Sequence, residues 1–486
     1  MGSTSEGAPT SPPKKAPHVA ERSDAHEGGA DEEDTPLLGQ SSGSDSEDLS
    51  KSRPYFQRGW GKKYSFTVTF TRLTAIMTLG VVALALIGGL FAGLSKPTAV
   101  TALDNGVGKL PFMGWNTWNA YHCEINETIV LDNAKLIKSL GLLDVGYNYI
   151  NIDDCYAEKE RDSKGNIVAS KDRFPSGMKN LTDQLHSMGF DSGWFTCQLY
   201  PGSYQNEDRD IQLFSDWGFD LLKYDNCAVP FDDVIKEGMV GKFQRMADAI
   251  ARLSERTGKP PMLYSLCQWG REQPWLWARR FGQTWRTTDD TGPDWGAIRS
   301  IINHGNGAMT FDEQKAHFTA WALMKSPLVI STDLTKATDQ TKFILKNTEL
   351  IAIHQDPVVG TAVTPFRWGI NPDWTNNFTH PAQYWSGETK DGVVFMLVNV
   401  LDQPADMFFS LTESPWIRAG RQYSVRDLWS HTNNGTAIRN MTIHSVPAHG
   451  VAALLLKDAG DEPAGTMPPC ARPEWCMDQN GTRIDQ

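Results

Sequence analysis

The chain is short of basic charge. Its 486 residues carry 46 Lys and Arg against 58 Asp and Glu, a formal net charge of −12. That balance argues against a nucleic-acid partner, which would be drawn to a positive field. Cysteine is sparse as well: seven in all, none before Cys123. Asparagine is missing from residues 1–72, so no glycosylation sequon can occur there. The first 50 residues lack Phe, Trp and Tyr and are rich in Ser, Gly, Pro, Asp and Glu. Such a segment cannot bury enough surface to offset its chain entropy and reads as a disordered tail. No Gly-x-Gly-x-x-Gly opens a first helix, which counts against a doubly wound dinucleotide-binding sheet.

Beyond the tail lies a run without charge, LTAIMTLGVVALALIGGLFAGLS, at 73–95. A bilayer crossing needs about 20 apolar residues, and this run has that length. It lies too far into the chain for an ordinary signal peptide. Arg53, Arg58, Lys62, Lys63 and Arg72 precede it and only Lys96 comes closely after. The positive-inside rule then predicts a single-pass signal anchor, with residues 1–72 in the cytosol and the remainder lumenal or extracellular. All seven cysteines lie beyond the run, as do the sequons at Asn126, Asn180, Asn377, Asn434, Asn440 and Asn480. An oxidising compartment suits both. In the tail, EEDTPLL (32–38) resembles an acidic dileucine sorting signal, with a chance Leu pair as the plain alternative.

From 96 to 358 short strand-like runs alternate with amphipathic helix. FMGWNTW (112–118), YNYINIDDC (147–155), DSGWFTC (191–197), LLKYDNC, PMLYSLC (261–267), QTWRTTDD (283–290) and SPLVISTDL (326–334) read as strands. Between them ETIVLDNAKLIKSLGLLDVG, MKNLTDQLHSMG, DIQLFSDWG and VGKFQRMADAIARLSERTG read as helices. This alternation predicts an α/β fold, a (β/α)8 TIM barrel. Beyond 359 the period drops to two: GVVFMLVNV (392–400), DMFFSL (406–411), YSVRDLW (423–429) and GVAALLL (450–456) predict an antiparallel β-sandwich over 359–458. Residues 459–486 read as an irregular tail.

Barrels hold their chemistry at the C-terminal ends of the strands. Here those ends carry GWN, DDC, DNC, LCQW and RTTDD, a collection of acids and aromatics. Two carboxyl groups about 5–5.5 Å apart are what retaining glycoside hydrolysis needs, one as nucleophile and one as acid/base. Asp225 ends one strand, and Asp289 and Asp290 end another. Any single Asp at such a place is more often a turn residue or a helix cap. The combination carries the reading. The abundance of Trp, 17 residues, fits sugar binding and equally fits a large core.

Taken in order, GWNTWNAY, NIDDCY, RFPSGMKNL, GFDLLKYDNC, SLCQWG, TWRTTDD and WALMKSPLVIS resemble the motifs of the α-galactosidases of glycoside hydrolase family 27, the melibiases. QLYPGSYQNEDRD (198–210) is most similar to the fungal members. The resemblance runs from about 107 to 457. It implies a retaining hydrolase that removes terminal α-galactose without metal or organic cofactor. Asp225 then matches the nucleophile and Asp290 the acid/base, with Asp289 beside it where the family usually has a small residue. Asp153 and Asp154 match the pair that binds the sugar O4 and O6 hydroxyls. Trp115 matches the aromatic platform, and Lys223 a hydroxyl-binding lysine on the same strand face as Asp225. Cys267, Trp269 and Arg286 match residues around the sugar 2-position, where a bulky Trp leaves no room for an N-acetyl group. The resemblance also pairs Cys123 with Cys155 and Cys197 with Cys227. Cys470 and Cys476 are left to close a loop in the tail. The expected partner is an α-galactoside: an oligosaccharide, a polymer side chain or a glycolipid.

The sequence departs from that family in two places. An Ile-Tyr-Ser-Asp-Ala-Gly type segment is missing after FDSG, and a Gly-Gly-Trp-Asn-Asp-Pro-Asp-Met run is missing after the acid/base. No convincing strand lies between Ile302 and Phe311. An incomplete barrel with exposed strand edges is the expectation. Compensation by the fold, loss of activity and omitted coding pieces are the three explanations; the abruptness of both gaps favours the last. Loss of activity would leave a membrane-tethered galactose-binding protein, and an α-N-acetylgalactosaminidase is the neighbouring enzyme.

Overall fold

The computed structural model describes residues 103–194, 200–227, 231–290, 295, 309–369, 381–464 and 466. The tail, the candidate anchor 73–95, Cys197, Cys470, Cys476, Asn377 and Asn480 lie outside the described residues. So does the stretch 296–308, where the second gap falls. No helix among the described residues is long and apolar enough to cross a membrane.

Seven parallel strands form the first sheet: β1 (Met113–Asn116), β2 (Tyr149–Ile152), β3 (Asp191–Trp194), β4 (Leu221–Asp225), β5 (Leu263–Cys267), β6 (Thr284–Trp285) and β7 (Leu328–Ile330). Each lies inside one of the runs read as a strand. Their order is β6-β5-β4-β3-β2-β1-β7, so β7 pairs with β1, and β6 and β7 are the outermost strands among the described residues. Among the described residues no strand lies between those edges, the position at which the sequence lacks one. The described strands make up a partial barrel. β1, for example, is buried at every residue, as parallel strands covered on both faces are. Gly114 is required there: a Cβ would sit 2.3 Å from the carbonyl oxygen of Tyr149 on β2.

Helices α1 (Glu127–Ser139), α2 (Met178–Met188), α3 (Glu207–Trp217) and α4 (Phe231–Thr257) cover the outside, followed by α5 (Phe311–Leu323), α6 (Asp339–Leu345) and α7 (Thr348–His354). Their ends obey local chemistry. The Asn126 side chain accepts from Ile129 N to start α1, Thr310 and Glu313 form a capping box on α5, and left-handed Gly189 and Gly218 stop α2 and α3. Val130, Ala134 and Ile137 of α1, and Leu181 and Leu185 of α2, are among the side chains these helices bury in the barrel core.

The second sheet has eight antiparallel strands: β8 (Thr364–Arg367), β9 (Tyr384–Thr389), β10 (Gly392–Val398), β11 (Ala405–Ser410), β12 (Arg421–Asp427), β13 (Thr432–Ile438), β14 (Asn440–Val446) and β15 (Val451–Asp461), in the order β11-β14-β13-β12-β15-β10-β9-β8. β13 and β14 share a single register pair, Ile438 with Asn440, and the sheet folds over there. Its edge strands then meet. Phe366 of β8 packs 5.8 Å from Phe409 of β11, and Arg367 Nη1 donates to Phe408 O at 2.6 Å. The result is a sandwich with Phe395, Phe409 and Tyr423 inside.

Alternation along β10 divides its side chains between two cores. Val393, Phe395 and Leu397 face the sandwich interior, whereas Val394, Met396 and Val398 join the barrel core. Trp429 Nε1 donates to Thr319 Oγ1 at 3.0 Å, and Asn347 Nδ2 donates to Leu428 O at 2.8 Å. Sandwich and barrel therefore share a buried, hydrogen-bonded seam. The sequons at Asn126, Asn180, Asn434 and Asn440 are all exposed.

Candidate active site

The C-terminal ends of β1, β2, β4 and β5 bring a cluster of polar side chains together. Lys223 and Asp225 are two residues apart on β4 and so point to the same side. Lys223 Nζ lies 3.2 Å from Asp225 Oδ1 and 3.9 Å from Asp153 Oδ2. One ammonium thus faces two carboxylates. Asp153 is fixed from three directions: Asn116 Nδ2 donates to its Oδ2 at 2.8 Å, Asp154 N donates to its Oδ1 at 3.0 Å, and its own N–H donates to Thr117 Oγ1 at 2.9 Å. Asp153, Asp154 and Asp225 are all buried.

The electrostatics come from that geometry. Burial pushes the Asp225 carboxyl up, Lys223 pulls it down, and Asp153 pushes it up again; the net direction is upward. Burial disfavours the charged Lys223, but Asp153 and Asp225 outweigh it and hold the ammonium well above its ordinary value. Lys223 therefore stays charged between the acids. Asp225 Oδ2 is buried and has no hydrogen-bond partner among the described residues.

Register aligns Asp225 with Cys267 on β5. The Cys267 thiol is buried, lies within hydrogen-bonding reach of Asp225, and is pushed by burial up to about 12. Arg286 comes just after β6 and donates from Nη1 toward Cys267 Sγ at 3.9 Å; the same nitrogen donates to Asp290 Oδ1. A line of contacts, Asp290–Arg286–Cys267–Asp225, joins the two candidate acids. Asp290 itself is 87% exposed, and Asp289 is exposed beside it. The Arg286 guanidinium is half-buried and also donates from Nη2 to Thr288 O at 3.0 Å.

Trp115 is completely buried, its Nε1 donating to Thr332 O at 3.0 Å. Its ring packs edge-on against Tyr121, the centroids 6.1 Å apart. Trp269 is half-buried in a left-handed conformation, φ 53°, with the Arg271 guanidinium over its ring at 5.7 Å. Gly270 beside it has φ +76°, and a Cβ there would stand 2.0 Å from Thr287 O. Only glycine lets the Trp269 loop touch the loop that carries Arg286.

Cys123 and Cys155 form a disulfide that ties the segment after β1 to the one after Asp153 and Asp154. Cys227 is also disulfide-bonded; Cys197, its expected partner, lies outside the described residues. The motifs alone did not single out three groups. Asn116 and Thr117 stand within GWNTW and are the donors and acceptors that hold Asp153. Lys242, fully buried on α4, donates to Asp225 O at 2.8 Å and to Asn226 Oδ1 at 2.9 Å.

A cluster of this kind, two fixed acids around a lysine with a third acid on the adjoining loop, can bind hydroxyls and present a carboxylate to an electrophilic carbon. Comparison with known proteins gives the arrangement a lineage. Residues 110–307 and 303–356 match the family described as Alpha galactosidase A, and 379–456 match the Alpha galactosidase C-terminal beta sandwich domain. The first match comes in two pieces that meet at 303–307, inside the second gap. A "Probable alpha-galactosidase B" of Talaromyces emersonii is 34% identical over 432 residues, covering 74% of this chain and 95% of its own length. That span exceeds the share of this chain that it uses, so the relative has internal residues without a counterpart here. Alpha-galactosidase I of Mortierella vinacea superposes with a TM-score of 0.62 at 31% identity, covering 74% of this chain and 100% of its own. The α-galactosidase of Saccharomyces cerevisiae solved with raffinose superposes with a TM-score of 0.61 at 27% identity, covering 73% and 99%. The chain belongs to the α-galactosidase family, the melibiases of glycoside hydrolase family 27.

Proposed function

We propose that Asp225 and Asp290 carry out in this chain the α-galactoside hydrolysis of its family, by double displacement with retention. Asp225 Oδ2 attacks the anomeric carbon as the glycosidic C–O bond breaks, and the leaving oxygen takes a proton from Asp290. Water then attacks the same carbon, gives its proton to the Asp290 carboxylate, and frees Asp225. The observation that carries this reading is the nucleophile itself: one oxygen of Asp225 faces Lys223 while the other is buried without a partner among the described residues. An unpaired buried carboxylate oxygen is costly to keep, and a bond to a sugar carbon would use it.

Asp153, Asp154 and Lys223 would hold the sugar hydroxyls by charge-assisted hydrogen bonds. Trp269 at the 2-position disfavours an N-acetyl group and so an α-N-acetylgalactosaminidase. The exposure of Asp290 favours a second reading, a protein that binds galactose without turning it over. Raffinose, the ligand of the Saccharomyces relative, represents the class of substrate to try.

The test is hydrolysis of an aryl α-galactoside by the full-length chain at pH 4 to 7, beside Asp225→Asn. Turnover that the substitution abolishes supports the hydrolase. A folded protein that binds galactose but never releases the aryl group supports the binder. The reading of 73–95 as a signal anchor, with the two folded domains lumenal or extracellular, rests on its uncharged length and basic N-terminal flank. Protease treatment of sealed microsomes tests it: the domains should be protected and residues 1–72 cleaved.

A further inference from the structure

Lys242 stands on α4 in the row of Met246, Ala249 and Leu253, all buried, a place that helical spacing assigns to the core. A lysine there is rarely tolerated unless paired. Among the described residues no carboxylate comes within ion-pair distance of it. Its ammonium has two oxygen partners instead: the backbone carbonyl of Asp225 and the side-chain carbonyl of Asn226. Its cation also lies over the rings of Tyr224 at 5.0 Å and Phe243 at 5.4 Å. Both of these hydrogen bonds go to the end of the strand that carries the candidate nucleophile.

We propose that Lys242 is a positioning residue for Asp225: from behind the strand it holds the Asp225–Asn226 peptide so that Oδ2 meets the sugar carbon. This rests on Asp225 being the nucleophile. The physical need is plain. β4 ends at Asp225, and the carbonyl of that residue is buried where the ladder stops, so it needs a donor. The side chain of Asp225 is held in front by Lys223, and its main chain by Lys242. A shift of about 1 Å in a reacting group costs about 10²-fold in rate. The ammonium also adds a positive charge behind the carboxylate. Among the described residues the charged and titratable groups facing it are Asp225, Cys267 and Tyr224, and those facing Asp225 are Lys223 on its own strand, Asp153 beyond β2, Cys267 on β5 and Lys242 itself. Burial lowers Lys242 to about 7, with Asp225 and Cys267 opposing the fall, so the clamp gains charge as pH drops below neutrality.

Lys242→Met keeps the length and removes the donors; Lys242→Arg restores charge and donors. The full chain and both variants would be compared on an aryl α-galactoside, with Tm as the check on folding. The expectation is that kcat falls about 10²-fold in the Met variant while KM stays within about threefold, and that Arg recovers most of the loss. Unchanged kcat in a folded Met variant overturns the proposal, as does equal loss with Arg and Met. A second readout needs no turnover: the carboxyl carbon of Asp225 observed by NMR against pH. Its midpoint should rise in Lys242→Met, and an unmoved midpoint overturns the proposal. An inactive wild type with a moved midpoint would count against the hydrolase reading alone.

Discussion

Lys223 and Asp225 share one strand and one face, and the Lys223 ammonium lies 3.2 Å from one Asp225 oxygen while also facing Asp153. A single positive charge therefore makes two buried carboxylates tolerable side by side. Lys223→Met would leave Asp225 and Asp153 as like charges in a buried site. The expected loss in kcat/KM is about 10²–10³-fold, the scale seen when one charge-stabilising donor is removed from an active site. The pH profile gives the sign. Burial and Asp153 raise the Asp225 carboxyl and Lys223 opposes them. Without Lys223 the carboxyl rises further, so the acidic limb of kcat/KM should move to higher pH. A limb that stays put would show that Lys223 only binds sugar.

Gly270→Ala is expected to be severe for its size. The position has φ +76°, and the new Cβ would meet a backbone oxygen, Thr287 O, which cannot swing away as a side chain can. The clash separates the Trp269 loop from the loop bearing Arg286 and Asp290. A stability loss of about 2 kcal/mol or more is expected, with a rise in KM for the galactoside. Urea denaturation and steady-state kinetics would check the two halves separately.

The Cys123–Cys155 bond closes a loop with a sequence separation of 32 residues. A loop of that length contributes about 3–4 kcal/mol by the chain-entropy account. Cys123→Ala with Cys155→Ala should therefore lower the denaturant midpoint clearly. Because Cys155 comes directly after Asp153 and Asp154, KM should rise as well. A double variant with unchanged KM would mean that Asn116 and Thr117 suffice to hold Asp153.

Where sandwich meets barrel, Arg426 donates to Glu349 from Nε at 3.0 Å and from Nη2 at 2.6 Å, and His431 Nδ1 lies 2.8 Å from the same carboxylate. Arg426 holds the Glu349 carboxyl below its ordinary range, with burial opposing and His431 assisting. A carboxyl depressed by folding stabilises above its unfolded pKa, about 4.3, and loses that contribution as pH falls through the folded value. Glu349→Gln should lower Tm by about 1–3 °C at pH 7. The difference from wild type should shrink below about pH 4 as the Glu349 carboxyl protonates. A gap that is constant from pH 7 to 3 would assign the loss to packing.

The strands of the barrel sheet were legible because a strand covered on both faces is largely apolar, and runs such as LLKYDNC turn polar toward their C-terminal end. The strands of the sandwich were legible only in part. β10 and β15 are apolar enough to stand out, but β13, TNNGTAI, is exposed at its first five residues, and β9, YWSGET, contains a glycine and three polar residues. Such strands are made by pairing with a neighbour, and pairing leaves no local pattern. Lys242 was illegible for the opposite reason: a lysine reads as surface wherever it stands, and only the end of β4 makes the buried place a favourable one.

By itself, the sequence determined the alternation of elements, the kinds of side chain at the strand ends, the family, and the place where a family motif is missing. These are local matters of period, composition and ordered motifs. The tertiary structure alone decided that Lys223 faces two acids, that Asp225 Oδ2 has no hydrogen-bond partner among the described residues, that Trp115 is completely buried, and that Lys242 reaches the Asp225 carbonyl from α4. Each depends on groups distant along the chain and a few ångströms apart in space. Distance and burial set the energy of a charge or a hydrogen bond, and neither can be read from the order of residues.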